Sequence, residues 1–310
     1  MEKVILVTGP TGIGKTSLAI ALAKHYDTEI INGDAFQVYK SLDIGTAKPT
    51  LEERLLVPHH MIDILEATEE FSVATYQRLV REKIKALNES NKRPIVVGGS
   101  GLYIDAVIRD YRFEGPARML DVETAYFGVS NEDLHAELSK LDYETSLEIH
   151  PNNRKRVLRA IELVKCASEN ESRQQAKRFV YDAVILFLTT ERQALYRLLN
   201  QRVDRMIDQG LVEEARTLYH RGVFSQATQA IGYKELFSYF SGIVSLTEAI
   251  ERIKQNTRNF AKRQITWFKN KTKGLMIEVD IDQPSKTFNE AVRIIDAHYS
   301  KENDANGTTK

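Results

Sequence analysis

The stretch MEKVILVTGPTGIGKTSLAIALA, residues 1–23, decides how the chain begins to fold. Residues 4–7 form an apolar run with the length and composition of a buried strand. Residues 17–22 are strong helix formers, and the segment between the two is rich in glycine. The order of these signals predicts a strand, a loop and a helix.

The loop in this stretch matches the GxxxxGK[ST] pattern through Gly9, Gly14, Lys15 and Thr16. In this pattern backbone N–H groups surround phosphate oxygens, the lysine adds a positive charge, and the threonine hydroxyl binds Mg²⁺. We therefore predict an anion-binding loop with Thr16 as a Mg²⁺ ligand. A glycine turn without a ligand is the alternative, and the motif alone does not say what is done with the phosphates.

Composition indicates an ordinary globular protein of one large domain or two smaller ones. The 310 residues are 42% hydrophobic and 28% charged. The early first strand leaves no room for a leader, and no apolar run has membrane-spanning length, so we expect a cytoplasmic protein with no membrane partner. A single cysteine, Cys166, excludes an intramolecular disulfide and a zinc site of several thiolates.

The first third of the chain alternates strands and helices. Residues 29–33 read as a second strand that delivers Asp34 at its carboxyl end, and residues 94–97 read as a third that runs into Gly98–Gly101. A helix is predicted over 72–87, and a long functional loop over 35–58. This alternation predicts a parallel α/β core, with Asp34 beside the anion-binding loop at the carboxyl edge of the sheet.

The pattern changes at residue 111. We predict a mainly helical insertion domain over 111–178, carried by a core made of residues 1–110 and 179–299. Thr190 and Gln193 suggest a capping box for a helix that runs to 209. Further core elements are predicted as a strand at 182–188, a helix at 211–220 and a strand at 275–281, followed by a disordered polar tail at 300–310.

A long helix with one basic side is predicted from Ser245 to about residue 268. The net charge of the chain is zero, yet residues 252–273 hold eight Lys/Arg and no Asp/Glu. Lys254, Arg258 and Lys262 share one face of the helix, separate from a packing face that comprises Ile250, Ile253, Thr257, Phe260, Gln264, Trp267 and Phe268. This stripe is either a solvated helix face or a surface that contacts a phosphate backbone.

Seven segments of the chain resemble the signature blocks of the tRNA dimethylallyltransferase family. They occur in the family's order and span nearly the whole sequence. The segments are GPTGIGKT (9–16), GDAFQVYKSLDIGTAKP (33–49), VGGSGLYI (97–104), IHPNNRKRVLRAIE (149–162), QRVDRMIDQGLVEEAR (201–216), QAIGYKE (229–235) and TRNFAKRQITWF (257–268).

The resemblance implies transfer of a dimethylallyl group from dimethylallyl diphosphate to N6 of adenine 37, in tRNAs that read codons beginning with U. The P-loop would then hold a leaving group. Its diphosphate-binding residues would be Gly9, Pro10, Thr11, Gly12, Ile13, Gly14, Lys15 and Thr16. The partners implied are tRNA and dimethylallyl diphosphate, the cofactor is Mg²⁺, and we expect a monomer.

The chemistry of this reaction suits particular residues. An exocyclic adenine amine is a weak nucleophile, so a carboxylate that accepts its proton should help, and Asp34 is the candidate. Negative charge develops on the departing diphosphate, which Lys15 and the loop amides can stabilise. By resemblance Arg202 would reach the same diphosphate, and Ser100, where the family usually has threonine, would help to hold the reacting groups.

The resemblance also assigns contacts with tRNA. The segment from Asp34 to Gln37 matches the part of the family that reads the target base, with Ala35 where serine is common. The predicted tRNA-binding residues are Asp34, Ala35, Phe36, Gln37, Ser100, Lys155, Arg156, Val157, Leu158, Arg159, Lys254, Arg258 and Lys262. For Asp34 the alternatives are a Mg²⁺ ligand or a turn residue at a strand end. Arg202 could instead be a helix-surface arginine, and residues 155–159 a solvated helix face.

Three other functions remain open from the sequence. An adenylate isopentenyltransferase would prenylate free adenine nucleotides and have less need of the basic helix and the insertion. A P-loop kinase or triphosphatase would consume ATP. A non-catalytic RNA-binding protein would not depend on the carboxylate of Asp34.

Overall fold

The computed structural model describes residues 1–113, 122–166 and 178–306. Within them, six strands form one sheet in which every pair of neighbours is parallel, in the order β3-β2-β4-β1-β5-β6. The strands are β1 (Lys3–Thr8), β2 (Ile30–Asn32), β3 (His59–His60), β4 (Ile95–Gly98), β5 (Asp182–Thr189) and β6 (Leu275–Glu278). This sheet confirms the predicted α/β fold.

Thirteen α-helices lie in the described part of the chain. The helices are α1 (Lys15–His25), α2 (Leu51–Leu56), α3 (Val73–Glu89), α4 (Gly101–Ile108), α5 (Val122–Ala125), α6 (Asn131–Leu141), α7 (Tyr143–Glu148), α8 (Arg154–Cys166), α9 (Arg192–Asp208), α10 (Leu211–His220), α11 (Tyr233–Phe240), α12 (Leu246–Trp267) and α13 (Pro284–Asn306). None of the helices in these ranges has the length and apolar character needed to cross a bilayer.

Strand β1 lies at the centre of the sheet because its side chains are apolar on both faces. Val4 and Leu6 enter the core beneath α3, α4 and α9–α12, whereas Ile5 and Val7 enter the core beneath α1 and α13. All four are fully buried. A strand covered on both faces reads as a continuous apolar run, which is why the sequence signal was clear.

Two elements lie where the sequence predicted only a loop or nothing. Helix α2 interrupts the predicted loop 35–58, and it begins with a capping box in which the Thr50 hydroxyl accepts from the Glu53 N–H and the Glu53 carboxylate accepts from the Thr50 N–H. Strand β3 has only two residues and pairs with β2 at the sheet edge. A two-residue strand of histidines carries no apolar signal.

Three predictions in the second half of the chain need correction. The N-cap of α9 is Glu191, whose carboxylate accepts from Gln193 and Ala194, so the predicted capping box of Thr190 with Gln193 is wrong. The last strand ends at Glu278 and not at residue 281. Helix α13 continues to Asn306, so residues 300–306 are helical and not the predicted disordered tail; residues 307–310 lie outside the described part.

The chain divides into two compact units. The first comprises Met1–Asp110 and Arg178–Lys310, and contains the sheet. The second is Tyr111–Lys177, within a residue of the predicted insertion, and its described elements are helices α5–α8. Its small core contains Leu134, Leu138, Val157, Leu158, Ala160 and Ile161.

Candidate active site

The glycine-rich loop joins the carboxyl end of β1 to the amino end of α1. Gly9, Gly12 and Gly14 adopt positive φ values of 145°, 77° and 91°, a region that favours glycine. Gly14 is the N-cap of α1 and provides no side-chain hydrogen bond to the first turn. Backbone N–H groups at a helix start without a side-chain cap are suited to bind an anion.

Lys15 holds this loop in its folded shape. Its Nζ donates to the carbonyl oxygens of Gly9 and Pro10, at 3.0 and 2.8 Å. Burial, together with the nearby positive charge of Arg202, lowers the pKa of Lys15 to about 7, although Asp34 opposes the shift. An anion bound in the loop would favour the charged lysine, so the site is poised to take a negatively charged ligand.

Gln264, on α12, connects the glycine-rich loop to the turn after β4. Its Oε1 accepts from the Thr11 N–H at 2.9 Å, and its Nε2 donates to the Gly99 carbonyl oxygen at 3.0 Å. The side chain is buried, with both ends of the amide hydrogen-bonded. The sequence prediction placed Gln264 only in the packing face of the helix and missed this role.

Asp34 follows β2 at the carboxyl edge of the sheet, where the sequence predicted it. Its backbone N–H donates to Asn32 Oδ1 at 3.0 Å, and its Oδ1 accepts from the Phe36 N–H at 2.8 Å. Burial raises the pKa of Asp34, and the Phe36 N–H and the positive charge of Lys15 oppose this rise. A carboxylate in this environment can accept a proton more readily than one in water.

Ser100 is the N-cap residue of α4, directly after β4. Its Oγ accepts from the Ala35 N–H at 3.3 Å, so it links the residues that follow β2 and β4. Ala35 takes part through its backbone. Ser100 therefore helps to fix the segment that begins at Asp34.

Arg202 comes from α9 and reaches the same region. Burial lowers its pKa, and the carboxylate of Asp34 opposes this effect. The structure brings together Asp34, Lys15 and Arg202, the three charged residues that the sequence predicted for the chemistry, in one cavity.

Two cavities meet at these residues. The first, of about 220 Å³, is lined by the glycine-rich loop and by polar groups that include Lys15, Thr16 and Gln264. The second, of about 210 Å³, has many apolar lining residues, among them Phe36, Met206, Ile231, Ile253 and Phe260. Thr11, Asp34 and Arg202 line both cavities. A charged and a largely apolar ligand could therefore be bound on either side of Asp34.

A second carboxylate, that of Glu214, fixes the backbone of residues 43–45. Glu214, on α10, accepts from the N–H groups of Asp43, Ile44 and Gly45 at 2.9–3.0 Å, and from the Tyr233 hydroxyl at 2.6 Å. The Tyr233 ring lies against Gly45, where a Cβ atom would be 2.6 Å from the ring. Sequence reasoning assigned Glu214 and Tyr233 no role, although both lie in the quoted blocks.

Gln37 has an internal role. Its Nε2 donates to the carbonyl oxygens of Thr46 and Ala47, each at 3.1 Å. This amide closes the loop between β2 and α2, and Gln37 also lines the first cavity.

His59 lines that cavity as well: its Nδ1 contacts the Val57 oxygen at 2.7 Å, and its buried Nε2 has no partner among the described residues.

The predicted basic stripe on α12 is largely held against neighbouring side chains. Lys254 Nζ pairs with Asp204 at 2.8 Å and with Glu251 at 3.3 Å. Arg258 Nη1 donates to Asn200 Oδ1 at 2.6 Å. Lys262 is exposed. Of the two alternatives, a freely solvated helix face does not describe Lys254 and Arg258, and their contact with tRNA stays a prediction.

The predicted tRNA-contact residues of the second unit differ in exposure. Lys155 and Arg156 are exposed on α8, and Arg159 pairs with the buried Glu162 at 2.7 Å. Val157 and Leu158 are buried in the small core of the unit. Their burial corrects the prediction, because neither side chain is on the surface.

Oxygen ligands for a divalent cation are sparse but present. The described residues contain no group of three or more His, Cys, Asp or Glu side chains that could hold a metal by themselves. Thr16 and Asp34 both line the first cavity. This donor set fits Mg²⁺, which commonly takes one or two protein oxygens and completes its coordination with substrate phosphates and water.

Known proteins resemble this chain over most of its length. A family model described as IPP transferase matches residues 37–271. The tRNA dimethylallyltransferase of Geobacillus thermodenitrificans (strain NG80-2) is 50% identical over 279 residues, 87% of this chain and 88% of that protein. The tRNA dimethylallyltransferase of Bacillus subtilis (strain 168) is 46% identical over 278 residues, with the same coverage.

Solved structures agree with these matches. The tRNA isopentenylpyrophosphate transferase of Bacillus halodurans is 40% identical and superposes with a TM-score of 0.74, covering 98% of this chain and 100% of that one. A eukaryotic dimethylallyltransferase acting on tRNA is 26% identical with a TM-score of 0.79, covering 98% of this chain and 80% of that one.

Proposed function

The chain belongs to the IPP transferase family, and from this premise we propose that it transfers a dimethylallyl group from dimethylallyl diphosphate to tRNA. The acceptor atom is N6 of adenine 37, in tRNAs that read codons beginning with U. The products are N6-dimethylallyladenosine and pyrophosphate. The tRNA acceptor agrees with the cytoplasmic location expected from the sequence.

The observation that carries this proposal is the wall shared by the two cavities. The polar cavity beside the glycine-rich loop suits a diphosphate, and the second cavity suits a flat base among apolar side chains. Asp34 lies where the two meet. Transfer between two ligands requires their reacting atoms to approach each other, and a shared wall allows this.

The donor side stabilises the leaving group. In the reaction the bond between the allylic carbon and the diphosphate oxygen breaks, and a bond from that carbon to N6 forms. The bond electrons leave with the diphosphate, whose negative charge is stabilised by Lys15, Arg202 and the backbone N–H groups at the start of α1.

Asp34 accepts the proton that N6 loses as the new bond forms. Its carboxylate is already oriented by the Phe36 N–H, and the residue lines both cavities. Because burial raises its pKa, the carboxylate is a stronger base than an exposed aspartate. Ser100 supports this geometry through Ala35.

Mg²⁺ fits the donor side of the site. Thr16 would bind the ion, and when bound it would add positive charge beside the diphosphate and so favour its departure.

Contacts with tRNA are assigned to the segment Asp34 to Gln37, to Ser100, and to exposed basic residues. Lys155 and Arg156 on α8 and Lys262 on α12 have side chains at the surface. Such residues bind a phosphate backbone without reading its sequence. We further propose that the chain acts as a monomer, because the residues proposed for the chemistry all come from one chain.

The test replaces Asp34 by asparagine. Asp34→Asn keeps the shape of the side chain but removes the base, so we expect transfer to fall by roughly 100-fold or more while tRNA affinity changes little. Asp208→Asn, an exposed aspartate on α9, is the matched control and should keep wild-type activity. Equal loss of tRNA binding and transfer in Asp34→Asn would contradict the role of base.

The same assay separates the alternative functions. Pyrophosphate release should require both dimethylallyl diphosphate and tRNA. Prenylation of AMP in place of tRNA would indicate an adenylate isopentenyltransferase, and phosphate release from ATP would indicate a kinase or triphosphatase. Mass spectrometry of the modified tRNA would identify the prenylated base.

A further inference from the structure

The geometry points to Gln264 as the residue that positions the diphosphate-binding loop for the donor. The inference rests on the proposed function, because it concerns the same donor site. Gln264 would not touch the reacting atoms; it would act through the loop that contacts the diphosphate. We therefore describe it as a positioning residue.

The side chain joins two segments that do not otherwise belong to one element. Thr11 lies between β1 and α1, and Gly99 lies between β4 and α4. The amide of Gln264 accepts from the first and donates to the second, at 2.9 and 3.0 Å. The uncharged amide serves both partners at once, because it has an acceptor at one atom and a donor at the other, whereas an ionised carboxylate could only accept.

The space around Gln264 is shaped to fit it. A Cβ atom at Gly99 would lie 2.1 Å from Nε2 of Gln264 and 3.2 Å from the Gly9 carbonyl oxygen, so only glycine leaves room for the amide. Ile265, the next residue of α12, packs against apolar clusters, and Phe268, which directly follows the helix, belongs to one. A buried amide among apolar neighbours is costly unless its oxygen and its nitrogen are hydrogen-bonded, as both are here.

The hydrogen bond from Thr11 decides which way the loop faces. The Thr11 N–H points at Gln264, and the Gly9 and Pro10 carbonyl oxygens point at Lys15. These bonds keep the carbonyl oxygens of Gly9 and Pro10 turned toward Lys15, so their partial negative charges do not repel an anion that enters the loop. Without Gln264 the Thr11 N–H would lose its buried partner, and the loop would bind a diphosphate less well.

Two substitutions test the inference by binding of inorganic pyrophosphate, measured by calorimetry. Gln264→Met keeps the size of the side chain but removes both hydrogen bonds, and we expect pyrophosphate affinity to fall about tenfold at every pH. Gln264→Glu keeps the acceptor but cannot donate to Gly99 while ionised. Once protonated, it regains a donor.

The pH profile distinguishes positioning from general stability. Relative to wild type at the same pH, Gln264→Glu should bind pyrophosphate at least about tenfold more weakly at pH 8.5 and recover to within about threefold near pH 6, because burial favours the protonated acid. The KM for dimethylallyl diphosphate should follow this profile. Affinity for tRNA should change by less than about threefold in both variants.

Gln255→Glu is the matched control, since Gln255 is exposed on the same helix. It should bind pyrophosphate as wild type does at both pH values. If Gln264→Met binds pyrophosphate like wild type, the inference is overturned, because any loss in Gln264→Glu would then be due to charge alone. If Gln264→Met does not fold, failure of Gln264→Glu to recover at pH 6 overturns it.

The outcome for the wild-type protein separates this inference from the proposed function. A wild-type chain that does not bind pyrophosphate refutes the donor site itself and the inference with it. A wild-type chain that binds pyrophosphate, with both Gln264 variants unchanged, refutes only the role of Gln264.

Discussion

Burial lowers the pKa of Lys15 far enough to change the charge of this side chain near neutral pH. The pKa of Lys15 falls from 10.5 to about 7 in the folded, ligand-free chain. Between these values the unfolded chain holds a proton that the native chain lacks, so the free energy of unfolding contributed by this residue rises with pH. An anionic ligand would reverse the preference, because it favours the charged lysine.

We predict that this rise disappears in Lys15→Met. The difference in free energy of unfolding between wild type and Lys15→Met should become more favourable to wild type as pH increases from about 7.5 to about 9.5. Urea denaturation without ligand at several pH values measures it. Lys24→Met, at the exposed end of α1, should show no such trend, and a flat difference for Lys15→Met would contradict the prediction.

Glu214 allows a second test at the scale of one residue. Its carboxylate accepts four hydrogen bonds, which a glutamine amide cannot all accept. We expect Glu214→Gln to lower the free energy of unfolding by about 2 kcal/mol and to weaken tRNA binding. Glu213→Gln removes only an exposed ion pair with Arg216, so it should change stability very little. Equal effects in the two variants would argue against a stabilising role of the four hydrogen bonds to Glu214.

Residue types were easier to predict than residue partners. Asp34, Lys15 and Arg202 could be selected from sequence because each lies in a motif whose chemistry is known. The role of Gln264 could not, since its partner Thr11 is 253 residues away and nothing local distinguishes it from a packing residue. Its only signal was a glutamine within a mainly apolar helix face.

At the scale of elements, the carboxyl ends of β2 and β4 approach very closely. A Cβ atom at Gly98 would lie 2.4 Å from the backbone carbon and oxygen of Gly33, the residue before Asp34. The two strands can bring their following loops together only because both positions are glycine. The position of Asp34 therefore depends on this contact.

We predict that Gly98→Ala displaces the segment after β2. The added methyl group should lower the free energy of unfolding by about 1–3 kcal/mol, and transfer should fall at least tenfold in the folded fraction. Gly222→Ala, at a positive φ in open space, should cost about 1 kcal/mol and leave the transfer rate per folded molecule unchanged. A thermal melt and a transfer assay on the same samples separate the two effects.

Elements with strong local signals were predicted well. Strands β1 and β5 are continuous apolar runs, and helix α3 follows its N-cap Ser72, whose hydroxyl accepts from the Thr75 N–H. Helix α2 was missed although Thr50 and Glu53 carry the capping-box pattern. Strand β3 could not be found, because its two residues are defined by pairing with β2 and by no pattern of their own.

At the scale of the whole molecule, positive and negative charges cancel. Ion pairing at each site therefore decides which Lys and Arg side chains can readily bind a phosphate backbone. Lys254 is within hydrogen-bond distance of Asp204 and Glu251, which raise the pKa of this lysine, whereas Lys262 is exposed. A phosphate backbone would have to compete with two carboxylates for the first lysine. At the exposed Lys262, the phosphate would not have to displace these carboxylates.

We predict that Lys262→Gln weakens tRNA binding several-fold and lowers the slope of log Kd against log salt concentration by about 0.7–0.9. Lys254→Gln should change neither quantity by a comparable amount, because its charge is already compensated. Filter binding at four salt concentrations measures both. Equal losses in the two variants would show that the ion pairs of Lys254 open when tRNA binds.

The hydrogen bond between Thr11 and Gln264 also has a consequence for biosynthesis. The glycine-rich loop leaves the ribosome before the side chain that fixes it, because Gln264 is translated 253 residues after Thr11. Throughout that interval the glycine-rich loop of the nascent chain lacks its hydrogen bond to Gln264. An mRNA truncated before the codon for Gln264 would therefore yield a protein that contains the complete glycine-rich motif but lacks the side chain that positions it.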